Sequence, residues 1–158
     1  MLEIKRIEDK TELVLVQTLF NEYAAELNEN LSFQTFDSEL AEPLKKYGPP
    51  HGSLFIAFLN GDAAGCIALQ QLDEQVCEMK RMYVRPSFRK HGIGEALVQV
   101  ILQDATAKHY HRMVLDTLQR LVAAIRLYRK FGFTETTAYY DNPLPGVVYM
   151  HKDLEQPV

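Results

Sequence analysis

A basic, glycine-containing segment, Arg89-Lys90-His91-Gly92-Ile93-Gly94, connects a strand-like stretch of the chain to a helix-like one. The apolar run Met82-Tyr83-Val84 lies shortly before it, and apolar residues at helical spacing follow from Leu97 to Ala105. Glycine has no Cβ, so the backbone of such a segment can approach a ligand closely. The first N–H groups of a helix are unpaired and carry the positive end of the helix dipole. This order therefore predicts a binding site for a phosphate group.

The spacing of the glycines argues against two common phosphate sites. The segment does not end in Gly-Lys-Ser/Thr, as an ATP- or GTP-binding loop would. Position 97 is leucine, so the third glycine of a Gly-x-Gly-x-x-Gly dinucleotide site is missing. The remaining pattern, Arg-x-x-Gly-x-Gly after a strand, resembles the pyrophosphate loop of the GNAT superfamily of acetyltransferases. That family binds acetyl-CoA, so the resemblance implies acetyl-CoA as the cosubstrate.

Two further segments carry the same resemblance. The stretch from Glu78 to Val84 looks like the fourth strand of the family, with its acidic residue a few positions before the loop. The stretch from Ala124 to Phe133 is similar to the family's Ala-x-x-Leu-Tyr-x-x-x-Gly-Phe helix end. The resemblance extends from Ser53 to Phe133, with one departure. Many members have an asparagine where this chain has Leu121, which puts an amide contact to the pantetheine arm in doubt.

Apolar periodicity along the chain predicts the order β-α-α-β-β-β-α-β-α-β-β. This is also the order of the GNAT family. We therefore predict an α/β (α+β) fold, with a mixed central sheet of about seven strands and about four helices, in one acetyltransferase domain spanning residues 1–158. The consecutive apolar residues at Met82-Tyr83-Val84 fit burial on both faces or a β-bulge, and the resemblance favours the bulge. It also implies that the fourth and fifth strands splay apart.

Two element boundaries depend on local chemistry. A second helix is predicted between Asp37 and Tyr47, with Pro43 limiting its start or bending it. A late strand is predicted from Phe133 to Tyr139, antiparallel to another from Val147 to Met150.

The resemblance implies which residues bind acetyl-CoA. The loop would hold the pyrophosphate, and the end of the preceding strand would pair with the pantetheine arm. The backbone N–H near Met82 would point at the thioester oxygen. The predicted cofactor-binding residues are Met82, Tyr83, Val84, Arg89, Lys90, His91, Gly92, Ile93 and Gly94.

Two residues are candidates for proton transfer. Glu78 is the candidate base that removes a proton from the amine, directly or through a water molecule; the alternative is a strand carboxylate paired with Arg81 or Lys80. Tyr128 is the candidate acid near the sulfur, because a phenol with a pKa of about 10 can protonate a thiolate. Its alternative role is that of an aromatic residue packed in the core.

Two loops would flank the acetyl group in such a fold. Their side chains suit an amine or amino acid with an apolar part, and they suit packing in a core equally well. The predicted substrate-binding residues are Phe33, Phe36, Tyr139, Tyr140, Asp141 and Asn142.

Composition limits the remaining possibilities. The formal net charge of −4 argues against a nucleic-acid partner. No apolar run approaches the roughly 20 residues that span a bilayer, and the first residues do not resemble a signal peptide, so we expect a cytoplasmic protein that does not enter a membrane. His109 and His111 have no cysteine or carboxylate beside them, and we predict no metal site. Cys66 and Cys77 are predicted to be free thiols, since a hairpin would keep them apart.

The chain is thus predicted to be an N-acetyltransferase. It would move an acetyl group from acetyl-CoA to the primary amine of a small molecule, amino acid or peptide by direct attack in a ternary complex. Two alternatives stay open: a non-catalytic sensor that binds acyl-CoA, and an enzyme for a longer acyl group. A second copy of the chain, in a homodimer, is a further candidate partner beside the acceptor.

Overall fold

A computed structural model of the chain describes residues 1–155, and the predicted domain of residues 1–158 ends outside this part. Seven strands form one sheet in the order β1-β2-β3-β4-β5-β7-β6. The strands are β1 (Leu2–Arg6), β2 (Ser53–Leu59), β3 (Asp62–Gln71), β4 (Val76–Val84), β5 (Arg112–Leu118), β6 (Thr134–Thr136) and β7 (Val147–Asp153). The α-helices are α1 (Leu13–Leu27), α2 (Phe36–Ala41), α3 (Pro43–Tyr47), α4 (Ile93–Ala107) and α5 (Val122–Lys130). The predicted mixed seven-stranded sheet is confirmed.

Helices cover both faces of this sheet. On one face, α4 and α5 pack on a core that contains Leu97, Ile101 and Met113. On the other face, α1 and α3 pack on a second core that contains Phe20 and Tyr47. Helices on both faces let the central strands carry apolar residues on both sides. Within residues 1–155, none of the helices combines the length and apolar character needed to cross a membrane.

The predicted second helix is two helices. Pro43 begins α3, and Glu42 before it adopts a non-helical conformation (φ −138°, ψ 73°). A proline ring disfavours the helical conformation of the preceding residue and supplies no N–H group, so the helix stops and a new one starts. The structure therefore has five α-helices in residues 1–155, where the sequence predicted about four.

The late strand β6 is also shorter than predicted. It covers only Thr134–Thr136, so the prediction of a strand reaching Tyr139 was wrong. The phenol groups of Tyr139 and Tyr140 donate hydrogen bonds to the carboxylates of Glu78 and Asp116. These bonds direct the two tyrosines across the sheet towards β4 and β5, and the chain leaves β6 before it reaches them.

A β-bulge interrupts β4. The antiparallel register with β3 shifts between Cys66, which faces Tyr83, and Ala68, which faces Lys80. Arg81 lies in the bulge with a φ of 58°, a conformation that is uncommon for residues other than glycine. Its guanidinium therefore leaves the sheet on the same face as Lys80, and it contacts Glu39 of α2. The bulge is confirmed, and its effect is to place two consecutive cations on one face of β4.

The two cysteines are free and fully buried. Cys66 lies opposite Tyr83, and its thiol donates to the carbonyl of Arg81. Cys77 faces the core formed with α4, on the opposite side of the sheet. Burial raises the pKa of both thiols to about 12, so neither thiolate is available at neutral pH.

We expect two free thiols per chain when the purified protein is denatured without reductant and titrated with a thiol reagent. In the folded protein both should react far more slowly than an exposed cysteine, because they are buried and protonated. A count of zero in denaturant would contradict this arrangement of β3 and β4.

Candidate active site

Strands β4 and β5 enclose an open cleft. They run parallel and pair only at Val76–Arg112, Cys77–Met113 and Glu78–Val114. Beyond Glu78 the two strands separate, while β5 stays paired with β7 as far as Leu118. Both separated strands line the cleft, together with residues of α1, α5 and the loop before β7; the lining includes Tyr23, Leu27, Met79, Lys80, Arg81, Met82, Leu115, Asp116, Thr117, Leu121, Ala124, Tyr128 and Asn142.

The predicted phosphate loop lies at the start of α4. Gly92 is the residue before the helix and has a φ of +74°, and Lys90 has a φ of 68°. A Cβ at Gly92 would meet no atom within 4 Å, so the backbone there is open on its outer side. Ile93 anchors the loop in the core, whereas Lys90 and His91 are exposed.

Arg89 is not free in this structure. Its guanidinium donates to the carbonyl of Val84 at 3.0 Å and forms an ion pair with Glu26 of α1. Both charged side chains are about half exposed, so the pair contributes little to stability. A stronger anion near the loop would therefore compete with Glu26 for this guanidinium at small cost.

Tyr128 reaches the cleft from α5. It is 7% exposed and lines the cleft together with Leu121 and Ala124. Its ring packs edge-on against Phe133, with 6.0 Å between the centroids. Burial raises the pKa of its phenol, so the hydroxyl stays protonated at neutral pH. The ring of Tyr128 therefore belongs to the core, as one of the two alternatives predicted, and the residue also lines the cleft, while its role as the acid stays a prediction. Leu121, at the position where the family often has asparagine, contributes only apolar surface.

Glu78 lies where β4 and β5 separate. It is 3% exposed, and its carboxylate accepts hydrogen bonds from the phenol of Tyr139 and the amide of Gln70. It is not the partner of Arg81, whose guanidinium makes two bonds to Glu39 at 2.6 and 2.9 Å. The alternative in which Glu78 pairs with Arg81 was therefore wrong.

Most of the predicted substrate-binding residues form one cluster around Asp116 of β5. Its carboxylate accepts hydrogen bonds from the phenol of Tyr140 and, at 2.7 Å, from the amide of Asn142. The ring of Tyr140 stacks on Phe33, at 6.5 Å between centroids. Phe36 contacts a different charged group, since its ring lies 5.3 Å from the guanidinium carbon of Arg81. Asp141 is exposed.

Sequence reasoning missed Asp116 and Glu39. Asp116 follows the buried run Met113–Leu115, and a carboxylate directly after an apolar strand was the available signal. Glu39 had no such signal, since it resembles the exposed acidic residues of a surface helix. Although burial alone would raise the pKa of Glu39, the Arg81 guanidinium keeps it below its usual value. In residues 1–155, no three histidine, cysteine, aspartate or glutamate side chains form a group that could hold a metal ion.

A sequence model described as the acetyltransferase (GNAT) family matches residues 16–133, which is most of the chain. The chain belongs to the GNAT acetyltransferase family. It is 46% identical to an uncharacterized N-acetyltransferase of Schizosaccharomyces pombe over 140 residues, covering 87% of this chain and 86% of that protein. It is 35% identical to human N-acetylaspartate synthetase over 112 residues, covering 70% of this chain and 37% of the synthetase.

Structural comparison supports the same fold. An acetyltransferase from Salmonella typhimurium, solved with its cofactor acetyl-CoA, superimposes with a TM-score of 0.74 at 18% identity and covers 100% of this chain and 96% of that one. As a member of the GNAT family, the chain is an acyltransferase, and acetyl-CoA is its cosubstrate. The prediction of an N-acetyltransferase of this family is thereby confirmed, and the non-catalytic alternative is set aside.

Proposed function

We propose that this enzyme moves the acetyl group of acetyl-CoA to the primary amine of a small molecule, amino acid or peptide by direct attack. The observation that carries the proposal is the cleft between β4 and β5. The carboxylates of Glu78 and Asp116 lie on the side of the sheet covered by α1–α3, and Tyr128 reaches the cleft from α5 on the other side. An amine can thus meet a thioester between a proton acceptor and a proton donor.

The proposed cofactor site consists of the cleft edge of β4 and the loop before α4. The edge residues Met82, Tyr83 and Val84 would pair with the pantetheine arm as an added strand would. Backbone N–H groups of residues 89–94 would hold the pyrophosphate, with Arg89 and Lys90 adding positive charge. The unpaired edge of β4 beyond Glu78 supports this, because buried N–H groups require a partner.

The chemical step needs one proton removed and one supplied. The amine nitrogen forms a bond to the acetyl carbon, the proton of the nitrogen passes to Glu78, and the C–S bond breaks. The departing thiolate then takes a proton from Tyr128. Before the C–S bond breaks, the carbonyl oxygen carries a negative charge, which an N–H group near Met82 would stabilise. A covalent acetyl-cysteine is disfavoured, because both thiols are buried with a pKa of about 12.

The acceptor class follows from the relatives only in outline. Human N-acetylaspartate synthetase, by its name, makes an acetylated amino acid. The present chain spans only 37% of that protein, so the likeness suggests an amino acid without identifying it. The aromatic cluster of Phe33, Tyr139 and Tyr140 near Asp116 would suit an ammonium group with an apolar part beside it.

A thiol-release screen tests the proposed function. Purified enzyme is incubated with acetyl-CoA and a panel of small amines, amino acids and short peptides, and free CoA is measured against a reaction without acceptor. We expect release above that background with at least one class, together with an N-acetyl product in the mass spectrum. Parallel reactions with propionyl-CoA and longer acyl-CoA test the acyl length. Acceptor-dependent release only with longer chains would contradict acetyl transfer.

Replacing Gly92 by alanine should weaken acetyl-CoA binding at least about tenfold. The new Cβ would occupy the open outer side of the loop, and the φ of +74° would strain any residue other than glycine, which costs roughly 1–2 kcal/mol. Calorimetric titration with acetyl-CoA measures this affinity.

Gly61→Ala is a matched control. Gly61 has a φ of +87° and an equally open Cβ position, but it lies in the turn between β2 and β3. Gly61→Ala should lower the melting temperature about as much as Gly92→Ala does, and it should leave the affinity for acetyl-CoA unchanged. Equal affinities of both variants and wild type would remove Gly92 from the cofactor site.

A further inference from the structure

Lys80 is a buried cation without a contact partner. It is 5% exposed, and within residues 1–155 its ammonium forms no hydrogen bond and no ion pair within 4.0 Å. Burying an unpaired charge is costly, so buried lysines normally have a carboxylate or several carbonyl groups beside them. The chain keeps this unpaired ammonium on a core strand that lines the cleft, and its Nζ atom is not among the fully enclosed polar atoms without a partner, so a ligand in the cleft can reach it.

Two other buried ions, both carboxylates, have ion-pair partners. Glu39 pairs with Arg81 and Lys46, at 2.6 and 3.0 Å. Asp104 pairs with Arg6 and Lys108, at 2.6 and 3.1 Å. Lys80 differs from these groups because it has no such partner among the described residues. Arg81, its neighbour in sequence, is fully paired.

The position of Lys80 relates this unpaired charge to the cleft. Lys80 lines the cleft and lies opposite Ala68, whose side chain packs in the core under α1 and α3. Its side chain therefore leaves β4 on that face, where Glu78 also lies. Burial lowers the pKa of Lys80, and the Glu78 and Asp116 carboxylates partly oppose this shift without touching the ammonium. Lys80 thus lies near both acidic groups that we assign to the amine.

We propose that Lys80 binds a carboxylate of the acceptor, so that the substrate is an amino acid bearing its carboxylate close to the reacting amine. This inference rests on the proposed function and narrows its acceptor class. The amine of such a molecule would face Glu78 and Asp116, while its carboxylate would supply the missing partner of Lys80. An amine without a carboxylate would leave the buried ammonium unpaired, which makes it the poorer acceptor.

Matched pairs of acceptors test this inference. Each L-amino acid that supports thiol release is compared with its own amide, which keeps the amine and side chain but removes the negative charge. A hydrogen bond to a charged group is worth about 1.5–3 kcal/mol, so the free acid should have a kcat/KM about tenfold to a hundredfold higher. Binding of N-acetyl amino acids and their amides to the enzyme with CoA, measured by calorimetry, should show the same preference.

Three variants identify the residue responsible. Lys80→Met keeps an unbranched side chain and removes the charge, so the preference for the acid should fall to about one. Lys80→Arg keeps a charge and should keep part of the preference. Lys130→Met removes a lysine from an exposed pair with Glu95 and should behave like wild type. Circular dichroism and the affinity for acetyl-CoA, both expected to be unchanged, show that Lys80→Met is folded.

The outcomes separate this inference from the proposed function. Turnover of acids and amides at equal rates by the wild type would overturn carboxylate binding but leave N-acetyl transfer intact. Equal loss of kcat for both acceptor types in Lys80→Met would assign Lys80 to the carbonyl oxyanion instead, and would also overturn it. A wild-type enzyme that releases CoA with no acceptor of any class would contradict the proposed function itself.

Discussion

Tyr128→Phe should lower kcat by one to three orders of magnitude and leave the fold intact. The substitution removes one oxygen atom and keeps the ring that packs against Phe133. Without the phenol, the thiolate of CoA must leave unprotonated, and general acid catalysis typically contributes a factor of about 10²–10⁴. Steady-state kinetics at saturating acetyl-CoA and acceptor measure the loss, and calorimetry should show nearly unchanged affinity for CoA.

The pH dependence gives a second measurement on the same residue. A general acid works in its protonated form, so activity is lost as the pH rises through its pKa. Burial raises the pKa of Tyr128, which moves this loss to a pH above the ordinary phenol value of about 10. In the pH–rate profile of Tyr128→Phe, this loss of activity at alkaline pH should be absent or displaced to another pH.

Tyr110→Phe is the control for the loss of a buried phenol. The Tyr110 hydroxyl donates to the carbonyl of His51 at 2.7 Å. Its removal should lower stability by about 1 kcal/mol and leave kcat unchanged. A Tyr128→Phe enzyme with full kcat would reduce Tyr128 to a packing residue.

Glu78→Gln should lower kcat/KM by roughly a hundredfold or more, with little change in the affinity for acetyl-CoA. The amide keeps the shape of the side chain and can still accept the hydrogen bond from Tyr139, but it cannot take a proton from the amine. Kinetics with the acceptor found in the screen, as a function of pH, measure the effect.

Two comparisons make the Glu78 experiment specific. Glu95→Gln replaces an exposed carboxylate that pairs with Lys130 and should have no effect. Asp116→Asn replaces the other cleft carboxylate and should raise the KM of the acceptor with little change in kcat, if Asp116 only holds the ammonium. The reverse pattern, with the kcat loss in Asp116→Asn and the KM change in Glu78→Gln, would exchange the two roles.

Much of the fold could be predicted from the sequence, because its signals are local. The hairpin between β2 and β3 depends on Asn60-Gly61, which both adopt positive φ values (52° and 87°). Helix α1 ends at Leu27, and Asn28 directly after it adopts the left-handed conformation (φ 54°) in which asparagine is enriched. Tertiary contacts set the remaining boundaries: Tyr139 and Tyr140 have strand propensity, yet their hydrogen bonds to Glu78 and Asp116 draw them out of β6.

The site was less predictable for a geometric reason. Alternation along β4 suggests that Lys80 and Arg81 point to opposite faces. The bulge at Arg81 interrupts this alternation, so both cations share one face. The positive φ of Arg81 (58°) is the feature of the structure that produces this arrangement. The two charges therefore have different surroundings: Arg81 binds Glu39 across the core, and Lys80 has no partner in the part of the chain that the structure describes. No pattern within a single strand contains that information.

The short ladder between β4 and β5 sets a limit on how far this protein can be stabilised. Only three residue pairs join the two halves of the sheet. A substitution that extended the ladder past Glu78 would add hydrogen bonds and make the fold more robust, but it would close the cleft in which the thioester must lie. Selection for thermal robustness and selection for turnover therefore act in opposite directions on the same few backbone groups.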